Sequence, residues 1–164
     1  MIFVTVGTHE QQFNRLIKYI DKMVQNKKIK EEVIIQSGFS TCEIRNCKNK
    51  KLIPYSEMIE NIKKARIIIS HGGPATFIMP LQFGKIPIVV PRLKEYEEHI
   101  NNHQLEFAEI VSKRQGNIIL IKDIENLESA ILNYDNLIST MPKELKSNNK
   151  VFNNKLKKII EEIV

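Results

Sequence analysis

The chain has 164 residues, 42% hydrophobic and 27% charged, with a formal net charge of +6 and a pI near 9.3. That is one domain, able to bury a core but too short for two full nucleotide-binding domains, and the composition excludes disordered, fibrous and membrane-spanning classes. The basic balance suits nucleic acid, an anionic membrane face or anionic small molecules. Its lysines, however, lie in dispersed clusters (Lys27-Lys28-Ile29-Lys30, Lys48-Asn49-Lys50-Lys51, Lys155-Leu156-Lys157-Lys158) without an aromatic-rich strand or a basic stripe, so no nucleic-acid partner is expected.

Residues 2–6 form a continuous apolar run without a basic leader or a small-residue cleavage site, and read as a first strand rather than a signal peptide. A cytoplasmic protein is expected. A polar turn at 7–12 leads into a helix with Phe13, Leu16, Ile17, Ile20 and Val24 on one face. Residues 32–36 predict a second strand and 51–54 a third, with Ser56 placed to cap a helix carrying Met58, Ile59, Ile62 and Ala65. Residues 66–70 predict a fourth strand, 74–83 a helix closed by Gly84, and 86–91 a strand ending in proline. After a loop at 92–99 come a helix near 100–114, a strand at 117–121 and a helix from Asp123 carrying Leu127, Ala130 and Ile131.

Residues 133–149 read as a linker. Residues 148–164 read as an amphipathic helix with Val151, Phe152, Leu156, Ile159, Ile160 and Ile163 along one side, which docks a partner or membrane or else closes the chain's own core. The alternation of strands and helices implies one α/β domain over 1–164: a Rossmann-like parallel sheet with helices on both faces. Cys42 and Cys47, the only cysteines, lack the spacing and neighbouring histidines of a zinc site and read as plain thiols.

A sheet of this kind binds ligands at the carboxyl ends of its strands, where helix N-termini converge. Three polar loops share that rim: Gly7-Thr8-His9-Glu10, His71-Gly72-Gly73, and residues 92–103, which together hold all four histidines. In the second loop Pro74 stands at the first helical position, so free amides and a positive helix end face one spot that suits a diphosphate. An ordinary tight strand-to-helix turn with glycines for steric reasons would look the same. The chain has no Gly-x-x-x-x-Gly-Lys-Ser/Thr loop, no Gly-x-Gly-x-x-Gly after the first strand, no Gly-x-Ser-x-Gly elbow and no His-Glu-x-x-His. Phosphate-loop NTPases, dinucleotide oxidoreductases and the common hydrolases are therefore disfavoured, and nucleotide-diphosphate binding survives.

The stretches 4–13, 71–74, 84–92 and 98–104 carry a resemblance. Over roughly residues 1 to 121 the chain resembles family-28-type glycosyltransferases, and among them the short bacterial capsule and exopolysaccharide proteins that correspond to the catalytic subunit of the eukaryotic lipid-linked UDP-N-acetylglucosamine transferase. The resemblance implies the C-terminal, donor-binding half of a GT-B enzyme, with a separate membrane-associated subunit supplying the acceptor-binding half. Gly7 and Thr8 would then sit beside the donor diphosphate, and His71, Gly72, Gly73, Pro74 and Thr76 would form the turn and helix end under it. Arg92 would add a cationic phosphate contact, His103 and Gln104 would meet hydroxyls of the donor sugar, and Glu98 and His99 would line the same loop.

One departure stands out: the helix after the glycine turn carries Met79 where related transferases place a ribose-binding carboxylate, and Glu98 is the candidate substitute. The reaction implied is inverting transfer of a hexose from a UDP-sugar to a polyprenyl-diphosphate-linked sugar at the inner face of the membrane. The charge on the leaving group would be met by the helix end rather than by a metal, so no metal or other cofactor is expected. His9 and Glu10 are the candidate bases, with the partner subunit as the alternative source. A non-catalytic accessory protein that binds nucleotide sugar or a partner is the competing reading, and self-association of the isolated chain through the partner's surface is left open.

Overall fold

A computed structural model of the chain describes residues 1–142. The strands are β1 (Ile2–Thr5), β2 (Val33–Gln36), β3 (Lys48–Lys50), β4 (Ile67–Ser70), β5 (Ile88–Val89) and β6 (Ile119–Leu120). Except between β2 and β3, which follow each other directly, they alternate with α1 (Asn14–Gln25), α2 (Tyr55–Lys64), α3 (Pro74–Gln82), α4 (His103–Gln115) and α5 (Asn126–Leu132), and α6 (Tyr134–Ser139) follows. The sheet is parallel with strand order β3-β2-β1-β4-β5-β6. The chain therefore winds outward in both directions from β1 and β4, which lie side by side at the switch point.

Burial on both faces explains why β1 and β4 read as unbroken apolar runs. Ile2, Val4, Ile67, Ile69 and Ile88 pack with Leu16, Ile17 and Ile20 of α1 and with Leu127, Ile131 and Tyr134. On the other face Phe3 and Ile68 pack with Ile62 of α2, and Val89 packs with Phe77 and Leu81 of α3 and Ala108 of α4. Helices thus cover both faces, as the alternation implied. The last residues of the central strands break the apolar rule. Thr5, Gln36 and Ser70 are in register across β2, β1 and β4, all three are buried, and Thr5 Oγ1 donates to Gln36 Oε1 at 2.6 Å.

Three expectations are corrected. The third strand is Lys48–Lys50, an exposed edge strand, rather than 51–54, because Pro54 caps the following helix and Ile53 turns under it to meet Phe3. Ser56 is no cap: α2 begins at Tyr55, with no side-chain capping bond. Residues 133–149 are not all linker, since α6 folds back and buries Tyr134, whose hydroxyl donates to Ile86 O at 2.6 Å. The tail read as a helix at 148–164 lies outside the described residues. Among the described residues no helix is long and apolar enough to cross a membrane. Cys42 and Cys47 are free and half-buried, and burial, then Asp21, pushes the Cys47 thiol up to about 12.

Candidate functional site

At the switch point the connections after β1 and β4 leave for opposite faces and open a crevice. A cleft of about 400 Å³ lies there. It is lined by Gly7, Thr8 and His9 after β1, by His71, Gly73 and the first turn of α3 (Pro74, Ala75, Thr76) after β4, and by Gln36, Met58 and Gln104. Pro74, which has no N–H, occupies the first turn of α3, no side chain caps that end, and the Thr76 N–H turns back to Gly73 O at 3.1 Å, so the Gly73 and Ala75 amides are the ones left for a ligand in the cleft.

His71 organises this wall. Its ring is wedged between Gly7 and Gly73, and a Cβ on either glycine would overlap the imidazole. Gly7 also holds φ +74°, a conformation in which other residues are strained. Burial above all, and then the nearby Arg92 guanidinium, depresses His71 to about 4, so the ring is neutral at physiological pH. Thr76 Oγ1 donates to Gly73 O at 2.7 Å and lies 3.4 Å from His71 Nδ1, which ties the first turn of α3 to the glycine turn.

Arg92 is not the free phosphate cation expected from the sequence. It is fully buried, with NH1 donating to Gln11 O, Gln12 O and Glu98 O and NH2 to Val6 O, all at 2.8–3.1 Å. Its guanidinium lies over the Phe13 ring at 4.9 Å. Burial lowers it to about 10, countered by Glu98, so it stays charged. Glu98 is equally buried: it takes paired hydrogen bonds from Arg15 at 2.9 and 3.0 Å and a third from Leu93 N–H at 3.1 Å. It is therefore neither a solvated charge nor a ribose ligand standing in for the missing carboxylate. These charges pin the loops after β1 and β5 to each other. Arg15 gave no functional signal in the sequence, and only the fold brings it 83 positions along the chain to Glu98.

The remaining histidines form a row. The ring of His9 lies 4.8 Å from that of His99, which meets His103 edge-on at 4.7 Å. His9 Nδ1 accepts from Gln11 N–H at 3.2 Å, so a neutral ring carries its hydrogen on Nε2 and acts as a donor rather than a base. His99 is buried behind the cleft and His103 is exposed beside a second groove that shares Pro74 and Gln104 with it. Glu10 is exposed and does not line the cleft. Gln104 is buried, accepts from Arg92 N–H at 3.3 Å, and packs its Cβ under Gly72, 2.9 Å from where a Cβ there would stand.

Met79 packs partly buried against Phe3, Ile62 and Ile68, so a carboxylate at this position would face an apolar cluster. Gln36, Met58 and Ala75 are lining residues that sequence reasoning missed. The available signal was Gln36 itself, a polar residue ending an apolar strand. Among the described residues no cluster of three or more His, Cys, Asp or Glu side chains is arranged to hold a metal ion.

A doubly wound parallel sheet with a crevice at its switch point is a Rossmann-like architecture, which takes its ligands at that point. The chain belongs to the glycosyltransferase family 28 C-terminal domain family, whose model matches residues 1–163. Over 121 residues it is 33% identical to the human UDP-N-acetylglucosamine transferase subunit ALG13, an alignment covering 68% of this chain and 10% of that protein. The chain thus matches only about a tenth of that relative's length. In fold it is similar to the glycosyltransferase SnogD from Streptomyces nogalater (TM-score 0.52, 19% identity, 86% of this chain and 39% of that one). It is likewise similar to the kitacinnamycin glycotransferase (TM-score 0.53, 14% identity, 80% and 34%). These neighbours are GT-B glycosyltransferases, and the fold corresponds to the C-terminal half of that architecture.

Proposed function

We propose that this chain is the donor-binding catalytic subunit of a two-component inverting glycosyltransferase. It transfers a hexose from a UDP-sugar to a polyprenyl-diphosphate-linked sugar in capsular or exopolysaccharide synthesis, working in the cytoplasm at the inner membrane face through its partner. The observation that carries this reading is the cleft at the switch point, where the Thr8 loop and the first turn of α3, with the Gly73 and Ala75 amides, line the wall and, among the described residues, no carboxylate does. The human relative's designation as a subunit supports a second, acceptor-binding component.

In this reading the donor diphosphate rests on the loop amides and the α3 N-terminus, which contributes about 1 kcal/mol toward an anion and more where water is excluded. Charge develops on the leaving UDP as the sugar–phosphate bond breaks, so the same amides stabilise the transition state without a metal. His9 donates through Nε2 to the diphosphate, and Gln104 and His103 meet the sugar. The base that accepts the acceptor hydroxyl's proton comes from the partner, since Glu10 is outside the cleft and the lone pair on His9 Nδ1 is engaged. The non-catalytic accessory reading is favoured by one observation, the apolar setting of Met79. Calorimetric titration with UDP and UDP-sugars in EDTA, followed by a transfer assay with the co-purified partner, separates the two. Metal-independent binding with transfer supports the enzyme, binding without transfer supports the accessory protein, and no binding removes the donor-site reading.

A further inference from the structure

The cleft poses a problem of charge. Among the described residues its lining includes no lysine or arginine, and the guanidinium of Arg92 is bonded to main-chain carbonyls. A diphosphate diester nevertheless brings a negative charge on each phosphate. Among the described residues, the titratable groups that line it are imidazoles. His71 is wedged and buried, whereas His9, His99 and His103 make a continuous row from the cleft to the neighbouring groove.

Hydrogen bonds decide where this row can take a proton. His9 Nδ1 and His99 Nδ1 accept main-chain N–H groups, of Gln11 at 3.2 Å and Asn101 at 3.4 Å, so protonating either nitrogen breaks a bond. His103 is the reverse. Its Nδ1 faces Asn101 Oδ1, an acceptor that also takes the His103 N–H at 3.4 Å, so Nδ1 carries hydrogen and Nε2, which has no hydrogen-bond partner among the described residues, keeps its lone pair. The charges around the row come from each packed element. Burial above all, then His103 and His9 and last Arg92, opposes a charge on His99. Glu98 beside it is paired with Arg15 of α1, Glu106 of α4 shares the groove of His103, and Glu10 next to His9 is exposed. The α3 segment PATFIMPLQ brings no charge, and α2 brings Met58 to the cleft.

We propose that the cleft binds its diphosphate together with a proton, taken from solvent at Nε2 of His103, so that the imidazole row becomes cationic as the anion enters. The proposal rests on the donor-cleft reading. A bound anion favours the protonated ring, so affinity rises as pH falls.

The probe is UDP-N-acetylglucosamine, whose diphosphate is a diester and does not titrate near neutrality, unlike the terminal phosphate of UDP. It is titrated calorimetrically into the full chain from pH 6 to 8 in buffers of low and high ionisation enthalpy. Net proton uptake and about fivefold tighter binding at pH 6 than at pH 8 are expected. His103→Gln, at an exposed position and checked by its unfolding midpoint, loses the uptake and flattens the pH dependence. Binding without proton uptake, or full uptake in His103→Gln, overturns the proposal and leaves the donor cleft standing. Absence of binding at every pH overturns the donor-cleft reading, and the proposal falls with it.

Discussion

Arg92, Glu98 and Arg15 lie a few residues from the cleft, yet they handle polarity in the opposite way to His71, His9 and the glycine turn. The first group buries full charges and directs them at the protein itself, with Glu98 bonded three times and Arg92 clasping the loops after β1 and β5. The second presents amides, hydroxyls and imidazoles, with no lysine, arginine or carboxylate in the lining among the described residues. Charge at this carboxyl edge thus fixes the shape of the loops, and in the proposed function ligand contact falls to weaker groups held in place by that shape. An arginine following a strand at a ligand edge is therefore not by itself a ligand.

Substitutions on the two sides of this contrast differ in the size of effect expected. The largest effect is expected at the buried pair: Glu98→Gln leaves Arg15 and Arg92 uncompensated and lowers unfolding free energy by about 3 kcal/mol or more in urea. An exposed Glu98 would instead cost almost nothing. Next comes acid. His71 is depressed to about 4 in the fold and returns to an ordinary value when unfolded. The unfolded chain then binds the extra proton, so stability falls as pH drops from about 6.5 toward 4, by on the order of 3 kcal/mol. His71→Asn should flatten that limb of a thermal-denaturation series, and an unchanged slope would show that the ring is not buried neutral. Gly7→Ala forces a Cβ into the His71 ring at φ +74°, and should cost about 1–3 kcal/mol and at least about tenfold in UDP affinity. At the small end, Lys64→Ala removes an exposed i,i+4 pair with Glu60 and should change stability by less than about 0.5 kcal/mol and UDP affinity not at all.

Much of the fold was legible because burial on both sheet faces writes itself as unbroken apolar strands, and Gly7 and the Gly72-Gly73-Pro74 turn mark where two of them end. The edge strand was not legible. Lys48-Asn49-Lys50 carries no hydrophobic signature, and its strand identity comes from main-chain pairing with Ile34–Gln36, whereas the apolar Leu52-Ile53 next to it misled. The β1 and β4 loops of the site were readable from their glycines. Arg92 and Glu98 were misread because sequence gives the sign of a charge but not its partner, and Arg15 reaches them only through the packing of α1. Thr5 and Gln36 could have been found: a polar residue closing an apolar strand at the ligand edge is a signal, and their register makes them neighbours.

The central claim is that diphosphate is met by amides and imidazole rather than by the buried arginine. The most direct measurement is a nitrogen-15 NMR titration of the full chain with UDP in EDTA, following main-chain amides and the arginine side-chain resonances together. The account predicts the largest shifts at Thr8, Gly73 and Ala75, with Arg92 Nε–H little changed. Dominant shifts at the Arg92 side chain with silent glycine-turn amides would contradict it.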